Sequence, residues 1–118
     1  MRKLIIKQVV MVAISVLLIS LAAFSVQGQE AKQLYEQICA ACHGARGRGD
    51  GPTGQALQPK PADFTTTLKG KDEVYLTKVI TEGGASVGKS PMMPAYKGVF
   101  SDEQIQDLIR YVKGFISP

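Results

Sequence analysis

The chain has 118 residues, which allows one domain and little more. Lys plus Arg is 14 and Asp plus Glu is 10, a formal charge of +4, so a nucleic-acid or anionic-membrane partner has to be considered. One histidine excludes a site needing two imidazoles, and two cysteines exclude a four-thiolate zinc or iron–sulfur site built by this chain alone.

In chain order, Arg2, Lys3 and Lys7 come first with no acid among them, and an apolar run follows from Val9 to Val26. Only serines interrupt it, at Ser15, Ser20 and Ser25. A charged start, an apolar middle and a small-residue exit describe an export signal. Val26-Gln27-Gly28 supplies small residues before a cleavage point, and Ala23-Phe24-Ser25 is a second option. The run is also just long enough to cross a bilayer. Residues 1–28 are therefore expected to be a signal peptide or an N-terminal membrane anchor, with anchoring through residues 9–26 if it is kept. Either way residues 29–118 are exported and the positive end stays in the cytoplasm. Removing the three leader cations leaves 11 Lys plus Arg against 10 Asp plus Glu, a net of +1. On that charge and in that compartment, nucleic acid is not an expected partner.

Ala31, Leu34, Tyr35 and Ile38 fall on one helical face, predicting a helix from about Glu30 to Ala41. Residues 44–61 hold five glycines and three prolines and read as a loop without periodicity. So long a loop in so small a domain usually wraps something. Asp72 is an N-cap candidate for a helix through Ile80, with Val74, Tyr75, Val79 and Ile80 as its buried face and Gly83-Gly84 as its stop. A second loop, 85–98, contains Ser90-Pro91-Met92-Met93-Pro94. Ser101 and Gln104 form a capping box for a last helix, with Phe100 and Ile105 as its hydrophobic staple. Ile105, Leu108, Ile109, Val112 and Ile116 form its apolar face, with Tyr111 and Phe115 at the flanks. No strand pattern is present, so the fold class is all-α: three or more helices separated by long loops.

Cys39-Ala40-Ala41-Cys42-His43 carries the chemistry. Two thiols three positions apart can each form a thioether to one vinyl group on the same porphyrin edge. His43 follows at once and can reach the iron. This spacing is the signature of c-type haem attachment. A thioredoxin-like redox pair would need a βαβ pattern, a disulfide over so short a loop would restrain little, and zinc lacks an evident fourth ligand. Outside the leader the only methionines are Met92 and Met93, in a proline-bounded loop suited to presenting one thioether to the iron.

With these motifs, residues 30–116 resemble a class I c-type cytochrome of the small bacterial monohaem type. The resemblance rests on Leu34-Tyr35 before Cys39, on Met93-Pro94-Ala95-Tyr96, and on the closing Leu108-Ile109-Arg110-Tyr111-Val112. It implies a cytochrome c domain over residues 29–118, wrapped round one haem c and its iron. Cys39 and Cys42 would carry the haem, with His43 and Met93 as iron ligands. Met93 is preferred over Met92 because the family's ligand directly precedes Pro-Ala-aromatic. The resemblance also implies a first-to-last helix contact through Ala31, Tyr35, Leu108 and Tyr111. A proline carbonyl would accept from the proximal imidazole, with Pro52 the first choice and Pro59 and Pro61 competing. Leu57, Phe64 and Tyr96 would join Pro61 as pocket walls. Arg46 and Arg48 are read as solvated. The implied role is one-electron transfer between membrane or periplasmic redox proteins, not catalysis. The alternatives are an electron-transfer subunit of a larger oxidoreductase, or a haem-based sensor or enzyme with a displaceable sixth ligand.

Overall fold

The computed structural model describes residues 1–116, and the side chains of residues 22–25 are outside that description. The chain divides into two compact units, Met1–Glu30 and Ala31–Pro118. The first is the greater part of α1, Arg2–Leu34. Its apolar side chains, Leu4 through Leu21, are exposed. The serine hydroxyls fold back on the helix, Ser15 Oγ donating to the Met11 carbonyl at 2.9 Å and Ser20 Oγ to that of Val16 at 3.0 Å. With their polar atoms satisfied within the helix, they do not interrupt its apolar surface. The helix is long and apolar enough to cross a membrane. The alternative cleavage residues Ala23-Phe24-Ser25 have their side chains outside the described set.

In the second unit the helix expected over Glu30–Ala41 is found, but it is not uniform. The end of α1 passes into a π-helical turn, Tyr35–Cys39, and then into α2, Ala40–His43. Such wide turns inside helices are frequent at functional sites. Tyr35 is fully buried. Its ring lies 5.3 Å from those of Tyr111 and Phe115, and those two meet edge-on at 5.2 Å. Each such pair adds about 0.5–1.5 kcal/mol beyond its buried area. Ala31 and Leu108, expected at the same helix crossing, are also buried.

The short helix α3, Phe64–Thr67, is capped by Asp63, which accepts from the Thr65 N–H at 2.9 Å. Helix α4, Glu73–Glu82, starts at the expected cap, with the Asp72 carboxylate accepting from the Tyr75 N–H at 2.8 Å. Its expected buried face needs correcting. Val74 is 77% exposed and Leu76 is buried. The inward residues are Tyr75, Leu76, Val79 and Ile80. Val74 falls outside that stripe, since each residue turns the helix by about 100°.

Helix α5, Asp102–Lys113, has both halves of the capping box, at 3.2 Å and 3.0 Å. Phe100 and Ile105 are buried in one cluster with Tyr35, Leu68, Leu76, Leu108, Ile109 and Val112. Asp107, a carboxylate among these apolar neighbours, is paired with Arg110 one turn on. Gln106 Nε2 donates to Thr77 Oγ1 at 3.2 Å, and Lys113 meets Glu73 at 3.5 Å, tying α5 to α4. Glu73 is well exposed, so that ion pair contributes less than about 1 kcal/mol. Among the described residues no strand forms, only an isolated bridge between Lys97 and Phe100.

Candidate functional site

Cys39-Ala40-Ala41-Cys42-His43 runs from the end of the π-helical turn through α2, and the glycine-rich stretch after it is not structureless. A helix leaves its last four carbonyls without partners inside the helix. Here the following loop supplies donors. Gly44 N–H reaches the Ala40 carbonyl at 2.8 Å, Thr53 that of Ala41 at 2.9 Å, Gly51 that of Cys42 at 3.3 Å and Gly49 that of His43 at 2.8 Å. The chain can return this closely only without a side chain at residue 51, where a Cβ would overlap the Ala40 and Ala41 carbonyl oxygens. The loop expected over residues 44–61 is therefore an organised wrapping that includes a 3-10 turn, Gly54–Ala56. Tyr35 adds a buried anchor, its hydroxyl donating to the Gly44 carbonyl at 2.7 Å.

Cys39 and Cys42 are unpaired thiols, each half-buried. Burial, and then the neighbouring Cys42, push the Cys39 thiol up to about 11. The His43 ring is stacked on Phe64, with centroids 4.5 Å apart and planes at 28°. Phe64 is held for this by the Asp63 cap and by its N–H, which donates to the Gly47 carbonyl at 2.6 Å. Burial lowers the His43 pKa, while the Ala62 backbone acts in the opposite sense. Burial thus favours the neutral ring, the form that offers a lone pair to a metal. Nδ1 is buried with no acceptor in hydrogen-bond geometry.

Pro52, the first choice for an acceptor carbonyl, lies exposed on the surface. The backbone that acts on the imidazole belongs to Ala62, directly after Pro61. Leu57 is half-buried at the end of the Gly54–Ala56 turn. Tyr96 is half-buried and stacks on Phe100 at 4.9 Å and 13°. Its phenol pKa is raised by burial and then by Cys39 and Cys42, so it belongs to the neighbourhood of both thiols. Met93 is half-buried, whereas Met92 is 57% exposed. Arg46 and Arg48 are exposed. The site thus gathers Cys39, Cys42, His43, Phe64 and Tyr96, and Pro52 is exposed on the loop that returns to it. Sequence reasoning missed the Tyr35 hydroxyl bond, the Ala62 backbone and the closeness required at Gly51. Only the spacing of Tyr35, one turn before Cys39, was a visible signal for any of them.

Two unpaired thiols on successive turns, a half-buried imidazole with a buried Nδ1 beside them and a methionine loop fit a protein that carries its haem covalently. The cytochrome c family profile matches residues 28–115, and the chain belongs to that family. Its cofactor is haem c with iron, and Cys39-Ala40-Ala41-Cys42-His43 is the pattern that takes it. The chain is similar to the cbb3-type cytochrome c oxidase subunit CcoP of Azospirillum brasilense, 33% identical over 84 residues. That alignment covers 71% of this chain and 27% of the relative. A second CcoP, from Azospirillum sp. (strain B510), is 33% identical over 82 residues, which is 69% of this chain and 26% of the relative. The chain therefore spans about a quarter of the length of these curated relatives.

Proposed function

We propose that this chain is an exported monohaem carrier that moves one electron at a time between membrane or periplasmic redox proteins. The observation that carries the reading is the end of the first helix of the second unit. There Cys39 and Cys42 are unpaired and His43 is half-buried, with its buried Nδ1 lacking an acceptor. Haem c, when bound there, supplies an iron that gains and loses one electron with no substrate bond made or broken. Cys39 and Cys42 hold it by thioethers. His43 is oriented by Phe64 and by the wrapped loop, and burial favours its neutral form. Met93 supplies the sixth ligand, a choice supported by its half-buried position beside an exposed Met92. The chain carries out no bond chemistry of its own in this reading.

Residues 1–28 are its export signal or its anchor, and the haem domain lies in the periplasm or on the outer side of the cytoplasmic membrane. A second reading, an electron-transfer subunit of a larger membrane oxidoreductase, is favoured by the similarity to CcoP and by the long apolar helix.

A redox titration followed by visible spectra tests the carrier reading. The holoprotein should titrate as one n = 1 couple, keep its haem through acid–acetone extraction and show the weak red charge-transfer band of methionine-ligated ferric haem. Haem that washes out would overturn the thioether assignment. Carbon monoxide binding to the reduced wild type would favour a small-ligand sensor instead. N-terminal sequencing of the exported protein separates a cleaved signal from an anchor, and co-purification of oxidase subunits would favour the second reading.

A further inference from the structure

The sequence offers Gly83-Gly84 only as the end of α4, yet the structure gives the pair another task. Both residues are buried, and the backbone of the Met93 loop lies directly on them. Gly84 N–H donates to the Met93 carbonyl at 3.0 Å, and Lys89 N–H donates to the Gly84 carbonyl at 2.9 Å. Further along, Tyr96 N–H reaches the Ile80 carbonyl and Lys97 N–H the Thr81 carbonyl, both at 3.0 Å. These carbonyls belong to the last turn of α4, where the helix itself has no donors left. The loop is therefore fastened on both sides of Met93 by backbone bonds to one helix end.

The approach leaves no room for side chains. A Cβ on Gly83 would stand 2.9 Å from the Met93 carbonyl oxygen and 3.1 Å from the Ala95 nitrogen. On Gly84 it would stand 3.0 Å from the Met93 Cβ and would overlap the Ser90 carbonyl oxygen. These neighbours are mostly backbone, so they cannot swing aside. Gly83 also has φ 83°, which L-residues rarely adopt. Gly88 is a natural control. It has φ 71° and ψ 26°, with nothing within 4 Å of its missing Cβ, so it reports left-handed strain without crowding, while Gly84, which has no positive φ, reports crowding without that strain.

We propose that Gly83 and Gly84 are positioning residues for the sixth iron ligand, making the C-terminal end of α4 the mount that sets where the Met93 thioether stands. The proposal rests on Met93 being that ligand. A Cβ at either glycine pushes the loop off the helix end and withdraws the thioether, while the attachment motif, on a separate helix, is untouched.

The test compares Gly83→Ala, Gly84→Ala, Gly88→Ala and Met93→Ala holoproteins by far-UV circular dichroism, acid–acetone extraction, the red charge-transfer band and imidazole binding to the ferric protein. Gly83→Ala and Gly84→Ala should keep helical content and covalent haem, lose most of the band, and bind imidazole about tenfold more tightly, because imidazole enters only molecules whose sixth position is open. Gly88→Ala should match the wild type in band and imidazole affinity. A wild-type band and affinity in both Gly83→Ala and Gly84→Ala would overturn the proposal. So would equal losses in Gly88→Ala, which would assign the effect to backbone strain. Loss of the helical fold in both crowded variants, with Gly88→Ala intact, would assign the pair to the fold as a whole and also overturn it. If Met93→Ala keeps the band, the ligand assignment beneath the proposal has failed, and the two failures remain distinct.

Discussion

Replacing Tyr35 with phenylalanine removes one oxygen and leaves the ring among Tyr111 and Phe115. The lost bond is the 2.7 Å donation to the Gly44 carbonyl, which organises the first turn after His43. That carbonyl also accepts from the Gly47 N–H at 3.1 Å, so the variant weakens its pairing without stranding it. The cost is then that of a net hydrogen bond, about 1 kcal/mol, below the cost of an orphaned buried acceptor. For a domain of this size that lowers the melting temperature by about 4–8 °C. Tyr35→Ala, which also empties the aromatic cluster, should cost about 3–5 kcal/mol.

The phenol carries a second signature, because burial, the largest cause, raises its pKa above the usual tyrosine value. Below about pH 10 both folded and unfolded chains keep the proton, and the stability is fully present. Above that the unfolded phenol ionises first, so stability falls by about 1.4 kcal/mol per pH unit until the folded pKa is passed. Tyr35→Phe should make that alkaline decline shallower, with a remainder from Tyr96 and Tyr111, whose values are also raised. Guanidinium unfolding of the holoprotein, followed by far-UV circular dichroism from neutral pH to pH 11, measures both effects. A variant within about 0.3 kcal/mol of the wild type, with an unchanged alkaline slope, would refute a buried donating hydroxyl.

Other substitutions probe other contacts. Gly51→Ala drives a Cβ into the Ala40 and Ala41 carbonyls, and overpacking of this kind costs about 1–3 kcal/mol; urea unfolding should show it, with a lower yield of covalent haem. Leu76→Ala should cost about 2–5 kcal/mol in the same assay, while Val74→Ala stays within about 0.5 kcal/mol, and the reverse order would restore Val74 to the core. Cys39→Ser should leave a single thioether, shifting the reduced α-band in a pyridine haemochrome spectrum, and Cys39→Ser/Cys42→Ser should leave all haem extractable. Met93→Ala should abolish the red charge-transfer band and lower the potential, whereas loss with Met92→Ala instead would reverse the ligand choice.

Much of the site was legible in the sequence, because its information is local. Covalent haem attachment needs two thiols and an imidazole within five consecutive residues, so Cys39, Cys42 and His43 announce themselves without any fold. The capping box at Ser101 and Gln104 and the Asp72 cap were equally readable, since each joins a side chain to a backbone donor three residues away. The apolar N-terminal helix was legible too, and its first residues carry three of the four net charges on which the sequence opened. Contacts between distant segments were not. Val74 and Leu76 are both apolar helix residues, and only what packs against α4 decides which one is buried. Nothing near Gly51 reveals that the backbone of Ala40 and Ala41 lies against it, and nothing near Gly83-Gly84 reveals the Met93 loop. The reach of the Tyr35 hydroxyl to Gly44 and the action of the Ala62 backbone on the His43 ring belong to the same class. A glycine records that space is needed but not which atoms fill it, and that is settled only when loops far apart in the chain close on the same helix ends.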